Sequence, residues 1–290
     1  MRVVVIGAGG QLGQELLRVL PAETTVPLTR RDLDLRNPDA VTERLARLAP
    51  TAVVNAAAYN RVDGAEDESA EAVAVNALGP ATVAQVCGEL GVYLVQLSTD
   101  YVFDGRATRP YTEDDAPNPL GAYGRSKLAG ELLARALAPR CAIVRVAGLY
   151  AAGGSRAKGG SFVDRVLAQA RRGERLRVVA DQVTAPTWAR DVAAALARLL
   201  PRLLHGEAPA AVYHMTNAGA CSWHEFARVA LELAGVETAV EPITTAELGA
   251  RAPRPAYSVL ANSRLAALGE PPLRSWREAL AAYLAAAEEA

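Results

Sequence analysis

The chain has 290 residues, 51% hydrophobic and 22% charged, an ordinary globular balance with room for one large α/β domain or a domain and a half. A net charge of −1 excludes the broad basic surface of a nucleic-acid binder, and the apolar run Val3–Ile6 behind Met1-Arg2 is too short for a signal peptide or a membrane span. Three dispersed cysteines (Cys87, Cys141, Cys221) and three histidines (His205, His214, His224) lack metal-ligand spacing, so no metal site is expected, a need for Mg²⁺ stays open, and a reducing cytoplasm fits.

Short β-branched runs alternate with longer Ala/Leu/Arg-rich stretches. Val3–Ile6 reads as a strand and residues 11–20 as a helix. Between them lies Gly7-Ala8-Gly9-Gly10-Gln11-Leu12-Gly13, a GxxGxxG turn. Gly7 suits the tight turn, Gly10 lets backbone approach a pyrophosphate, and Gly13 lets helix pack on strand; Gly9, Gln11 and Leu12 complete the cradle. The helix N-terminus adds N–H groups and a positive dipole end, so a dinucleotide is the expected ligand. Thr25–Leu28 reads as the second strand. Arg30 and Arg31 just beyond it suit the 2′-phosphate of NADP(H), the preferred cofactor, with NAD(H) use left open. Asp34 and Leu35 are expected to line the adenine.

Asn37-Pro38 marks the start of a helix over 39–48. Ala52–Asn55 reads as the third strand, and the small residues Ala56, Ala57 and Ala58 after Asn55 would let a nucleotide lie against backbone. Residues 68–90 read as one long helix. Asn76 on its buried face is either a cofactor-side residue or a satisfied structural amide. Residues 93–98 read as the fourth strand, leading into Ser98-Thr99-Asp100. Residues 105–119, rich in Pro, Thr and Asp, read as an ordered surface loop.

The helix over 123–137 carries Tyr123-Gly124-Arg125-Ser126-Lys127. Of 31 basic residues only Lys127 and Lys158 are lysine, so a lysine four residues after a tyrosine asks for a reason. Positions i and i+4 share a helix face. At roughly 5 Å and an effective dielectric of about 20, the ammonium would favour the phenolate by on the order of 3 kcal/mol, or about two pKa units. Tyr123 is thus the expected proton donor and Lys127 the group that lowers its pKa. A compact ammonium can also bridge two sugar hydroxyls, which suits Lys127 to the cofactor ribose. Thr99, 24 residues before Tyr123 at a strand end, can hold a substrate oxygen while the tyrosine transfers a proton.

Residues 142–146 read as the fifth strand, 151–160 as a Gly-rich loop, Phe162–Arg171 as a helix, Leu176–Val179 as a sixth strand and 186–204 as a last helix of the main domain. From Tyr213 onward short elements are broken by Pro242, Pro253, Pro255, Pro271 and Pro272. The expectation is an α/β fold: a Rossmann-type doubly wound parallel sheet with a smaller C-terminal substrate lobe. Residues 1–150 form the dinucleotide-binding domain, with 176–212 returning to it. Residues 151–175 and 213–290 form the lobe, packed over the sheet's carboxyl edge.

With these motifs in this order the chain resembles the extended short-chain dehydrogenase/reductases, and within them the dTDP-4-dehydrorhamnose reductase family. The resemblance runs through Gly10-Gln11-Leu12-Gly13, Asn55-Ala56-Ala57-Ala58-Tyr59, Val62-Asp63-x-Ala65-Glu66, Ser98-Thr99-Asp100-Tyr101-Val102-Phe103 and Tyr123-Gly124-x-Ser126-Lys127. It continues through Asp181-Gln182 with Ala185-Pro186-Thr187 and through Arg254-Pro255-Ala256-Tyr257-Ser258. It implies Thr99, Tyr123 and Lys127 as the catalytic set, Tyr59 and Ser98 beside the cofactor, and Val62, Asp63, Asp100 and Thr187 around the substrate. The implied reaction is NADP(H)-dependent reduction of the C4 ketone of a nucleotide-linked 4-keto-6-deoxy sugar; the oligomeric state stays open, with a homodimer as the option considered. Two rivals stand beside it. One is a sugar-nucleotide epimerase or dehydratase, disfavoured because Thr99-Asp100-Tyr101 lacks an Asp-Glu pair. The other is a non-catalytic nucleotide-binding regulatory subunit resembling that of methionine adenosyltransferase. The chain departs from the family at Gly148, where a tryptophan is usual, and at Thr184, where a glycine is usual. Tyr150, Phe162 and Trp188 are candidates to fill the space beside Gly148.

Overall fold

The computed structural model describes residues 1–152 and 160–288; most of the Gly-rich loop expected at 151–160 lies outside the described residues. In chain order the first half comprises β1 (Val3–Ile6), α1 (Gln11–Val19), β2 (Thr25–Leu28), α2 (Pro38–Leu48), β3 (Ala52–Asn55), α3 (Gly64–Asp67), α4 (Ser69–Val73), a π-helical turn (Ala74–Leu78), α5 (Gly79–Leu90), β4 (Tyr93–Thr99), α6 (Ala122–Leu137) and β5 (Cys141–Val146). The second half comprises β6 (Leu149–Tyr150), α7 (Phe162–Arg171), β7 (Leu176–Val179), β8 (Val183–Thr184), β9 (Thr187–Trp188), α8 (Ala189–Leu204), β10 (Val212–His214), β11 (Cys221–Ser222), α9 (Trp223–Leu233), β12 (Val240–Ile243), α10 (Thr245–Leu248), α11 (Ser263–Ala267) and α12 (Trp276–Glu288).

A six-stranded, all-parallel sheet of order β10-β5-β4-β3-β1-β2 forms the centre. Strand periodicity explains why β1 is apolar throughout: Val3 and Val5 enter the core on one face with Leu12, Leu16 and Leu196, while Val4 and Ile6 enter the other with Val41, Leu45 and Val83. The chain steps from β1 outward to β2, then crosses back to β3 on the other side of β1. That reversal opens a crevice at the carboxyl ends of β1 and β3, the usual place for a ligand in an open α/β sheet.

The expected single helix over 68–90 is instead α4, a π turn and α5. Pro80 is the cause: it has no N–H for the carbonyl of Asn76, and its ring would strike that carbonyl in a regular α-helix. The displaced carbonyl of Asn76 faces Gly130 on α6, where a Cβ would lie 2.0 Å from it. Leu176–Val179 does not return to the main sheet. It pairs in parallel with Val240–Ile243, and Leu176 and Val178 pack with Tyr150, Phe226 and Trp276 in the core of the lobe. The sixth central strand is Val212–His214, beside β5, so Tyr213 and His214 belong to the main domain rather than to the lobe. The helix expected from Pro186 begins at Ala189, because Thr187-Trp188 is drawn into a short parallel pairing with Leu149-Tyr150.

Residues 256–261 strap the two parts together. Val183 N–H donates to Ala256 O and Ser258 N–H to Val183 O on the lobe side; Tyr111 N–H donates to Val259 O and Ala261 N–H to Tyr111 O on the side of the 105–119 loop. Among the described residues no helix is long and apolar enough to cross a membrane.

Candidate active site

The first βα turn is tight because Gly7 adopts φ +80°, and a Cβ there would lie 2.6 Å from Ala57 N. A Cβ on Gly13 would meet the Gly7 carbonyl at 2.3 Å. Gly10 caps α1 without a side-chain acceptor, so the leading N–H groups of the helix remain for a ligand. The turn opens into a cleft of about 1640 Å³ that runs from β1 to the lobe. Pockets for a single drug-sized ligand measure about 300–1,000 Å³, so the cleft has room for more than one such ligand.

Most of the expected site residues share this cleft. Gly7, Gly9, Gly10, Gln11 and Leu12 line it at the turn, and Arg30, Arg31, Asp34 and Leu35 line it beyond β2. Asp32 is turned away, its carboxylate accepting from the Thr29 hydroxyl at 2.6 Å and the Thr29 N–H at 2.9 Å. Asp34 is held by the Arg36 guanidinium, which lowers its carboxyl to about 2. Ala56, Ala57, Ala58 and Tyr59 continue the floor, and Val62 and Asp63 stand at the lobe side.

Besides Gly13, which serves the packing of helix on strand, three expected residues do not line the cleft. Asn55 is fully buried, donating to Gln96 Oε1 at 2.8 Å and accepting from Ala57 N–H. Asn76 accepts from Tyr59 N–H and donates to Tyr59 O and to Ser126 Oγ, pinning the segment after β3 to α6. Thr187 is fully buried, its hydroxyl donating to Ala185 O and accepting from Asn217 N–H. Each is a satisfied structural polar group. Thr184 and Gln182 face the cleft where Thr187 was expected to.

The carboxyl end of β4 and the first turns of α6 meet in the middle of the cleft. Thr99, Asp100, Tyr123 and Lys127 all line it there. The Thr99 hydroxyl donates to Asp100 Oδ1 at 3.0 Å and accepts from Tyr101 N–H. Burial raises the Asp100 carboxyl to about 6, against the lowering effect of hydrogen bonds with Ser258 and Thr99. The rings of Tyr101 and Tyr123 meet edge to face at 5.7 Å. The Lys127 ammonium donates to Leu97 O at 2.7 Å. Ser98 lines the cleft, and its Oγ is buried with no partner in the protein.

The expected lowering of the Tyr123 pKa by Lys127 is not what this geometry gives. Burial is the larger influence and pushes the phenol up to about 12; hydrogen bonding with Thr99 opposes this, and the Asp100 charge adds to it. The ammonium is committed to the Leu97 carbonyl, and its own burial lowers it to about 8, against the Glu131 charge, which holds it up. Tyr123 therefore keeps its proton throughout the neutral range and can donate it.

Behind Lys127, one turn further along α6, Glu131 forms a two-pronged pair with Arg145 of β5, at 2.9 and 2.6 Å. Both side chains are under 5% exposed. Burial and the Arg145 charge push His214 down to about 3, so it stays neutral beside the guanidinium.

Arg254 was given no role by the sequence, yet it faces the cleft and holds both oxygens of Asp63, at 3.1 and 2.7 Å. Its bracketing prolines, Pro253 and Pro255, were the available signal of a rigidly presented side chain. Tyr150 and Trp188 are buried in the lobe core and do not fill the space beside Gly148. Phe162 lines the cleft, and so does Trp223, which the sequence did not single out.

A model of the RmlD substrate binding domain matches residues 1–289. The chain belongs to this family. A dTDP-4-dehydrorhamnose reductase of Streptomyces griseus is 43% identical over 283 residues, covering 96% of this chain and 91% of the relative. The spore coat polysaccharide biosynthesis protein SpsK of Bacillus subtilis is 40% identical, covering 98% and 96%. The crystal structure of dTDP-4-dehydrorhamnose reductase from Bacillus anthracis in complex with NADP superposes with a TM-score of 0.90 at 35% identity, covering 98% of each chain. Across this RmlD-type chain the likeness spans both the main sheet and the lobe.

Proposed function

We propose that the protein reduces the C4 ketone of a nucleotide-linked 4-keto-6-deoxy sugar with NADPH, converting dTDP-4-dehydro-L-rhamnose to dTDP-L-rhamnose. The observation that carries this is the meeting of Thr99, Tyr123 and Lys127 in one cleft with the glycine turn. The residues present fit a dinucleotide: the cradle at Gly7 and Gly13 has no room for a Cβ, and Ser98 Oγ lacks a partner. NADPH, when bound, supplies the hydride. The turn and the N-terminus of α1 would hold its pyrophosphate, Arg30 and Arg31 its 2′-phosphate, and Lys127 the nicotinamide ribose. Thr99 orients the carbonyl oxygen, and Tyr123 gives that oxygen its proton. Val62, Asp63 and Asp100 stand on the substrate side. A cytoplasmic setting fits the three cysteines, all free and buried.

The direct test is NADPH oxidation with dTDP-4-dehydro-L-rhamnose, where kcat/KM of about 10⁴ M⁻¹s⁻¹ or more is expected. Failure with this and every other nucleotide-linked ketone, with NADPH still bound, would move the reading to a regulatory subunit. Replacing Arg30 and Arg31 together with Ala is expected to raise KM for NADPH by ~10-fold or more and to leave KM for NADH nearly unchanged, since charge-assisted bonds to the 2′-phosphate are lost. Equal loss for both cofactors would show that the arginines contact something shared.

Lys127 sets an alkaline limit. Its ammonium is retained below about 8 and lost above, while Tyr123 at about 12 keeps its proton across that window. The rate should fall as pH rises through about 8. Lys127→Arg, charged at every accessible pH, should be slower but lose that limb. A flat wild-type profile from pH ~7 to ~9 would remove Lys127 from the mechanism. Stability should move the other way. The unfolded lysine binds protons up to its ordinary 10.5, so above about 8 the unfolded chain holds more protons and folding gains as pH rises.

A further inference from the structure

The lobe presents an aromatic surface to the cleft beside the carboxyl edge of the main sheet. Strand register sets Thr99 opposite Val146, and Gly148 lies two residues beyond, at the same edge of the sheet. Gly148 has φ +51°, and the place its side chain would take is met by the tip of Trp223: a Cβ there would lie 3.4 Å from Cη2 of that indole and 3.1 Å from Pro186 Cα. Trp223 is half-buried, with the Phe162 ring 4.8 Å behind it, and both line the cleft. The other two tryptophans, Trp188 and Trp276, are 3% and 5% exposed within the core.

The mount of Trp223 is rigid. Cys221-Ser222 pairs antiparallel with Val183-Thr184, and the Ser222 hydroxyl caps α9 by accepting from Glu225 N–H. Trp223 is the first residue after that cap, so its backbone is held from both sides. The lobe wall of the cleft is mixed: Val178, Val179 and Val183 line it, and Gln182, Thr184, Arg254 and Ser258 line it too. An aromatic face with polar side chains on the same wall suits a ligand with one apolar face and polar edges. A hexose has that form: its ring C–H bonds lie on one face and its hydroxyls point outward. A 6-deoxy sugar adds a methyl group to the apolar side.

We propose that Trp223, backed by Phe162, is the platform for the C–H face of the sugar and thereby a specificity-determining residue. The proposal rests on the sugar-nucleotide reading above. It places the indole against the sugar and not against the base or the nicotinamide.

Binding of dTDP-L-rhamnose and of dTDP to the NADP⁺-saturated enzyme separates these contacts. Trp223→Leu is expected to weaken dTDP-L-rhamnose by about tenfold, with dTDP within about twofold of wild type, and Trp223→Phe is expected to lose less. KM for the keto sugar should rise more than kcat falls. Unchanged dTDP affinity also serves as the check that the variant is folded, and Phe162→Leu should show the same pattern in weaker form. Equal loss for dTDP and dTDP-L-rhamnose would place the indole on the nucleotide and overturn the proposal. Full affinity for both in Trp223→Leu would reduce Trp223 to lobe packing and overturn it too. A wild-type enzyme that does not distinguish dTDP-L-rhamnose from dTDP would instead sink the sugar-nucleotide reading itself.

Discussion

Tyr123→Phe is expected to bind NADPH as the wild type does and to turn over at least ~10²-fold more slowly, the scale of a lost general acid. The ring would still meet Tyr101 edge to face, so the local packing that carries α6 against the turn after β4 survives. Only the hydroxyl is removed. No neighbour replaces it. The Thr99 hydroxyl already donates to Asp100, and Lys127 already donates to the Leu97 carbonyl. The Asp100 carboxyl, at about 6, is largely ionised at neutral pH and is a poor source of protons there. Residual activity in the variant should therefore rise as pH falls through about 6, where Asp100 takes up a proton. Stopped-flow measurement of NADPH oxidation, with cofactor affinity measured separately, decides the matter. Near-normal turnover would remove Tyr123 from the acid role.

The largest stability effect is expected at Arg145. Arg145→Met leaves Glu131 buried without its partner, and breaking a buried ion pair in this way costs about 3–5 kcal/mol. The guanidinium also lies over the Phe103 ring, 5.2 Å from its centre, so that contact is lost as well. Replacing both partners with Met should recover most of the loss, because no unpaired charge is then left behind. Urea unfolding of the two single variants and the double variant measures this. A single variant within about 1 kcal/mol of wild type would show that water reaches Glu131 and that the pair is not sealed. The double variant also carries a functional readout. Glu131 is the charge that holds the Lys127 ammonium up, so its removal should move the alkaline limit of the rate below about 8.

The sheet was legible because its strands are buried on both faces and its helices are long enough to show their period. Val3–Ile6 and Ala52–Asn55 are apolar or small throughout for that reason. The lobe was harder. Leu176–Val179 has the same composition as a central strand, and nothing local says that its partner is Val240–Ile243, more than sixty residues away. The break at Asn76 could have been read from Pro80, whose missing N–H falls four residues later. Within the site, residues whose backbone geometry makes the pocket were visible as glycines and a strand end. Asn55, Asn76 and Thr187 have their polar groups bonded within the chain, and a buried amide or hydroxyl looks the same in sequence whether it meets a ligand or another part of the chain. Trp223 was missed for the opposite reason. It sits at the first position of an amphipathic helix, where an aromatic reads as core, and its tip lies beside Gly148 at the cleft.

The strap over 256–261 holds lobe and main domain together through main-chain bonds, which any residue but proline can make. Its buried side chains, Ser258, Val259 and Leu260, add packing to those bonds, and Ala256 is the exposed position. Arg254 and Pro255, just ahead of the strap, and Ser258 within it line the cleft. Variation can therefore accumulate on this wall one position at a time, altering what the wall accepts while the two halves stay in register. A laboratory library aimed at new sugars would lose fewer members to misfolding if it varied the cleft-facing positions of this edge and kept Val259 and Leu260.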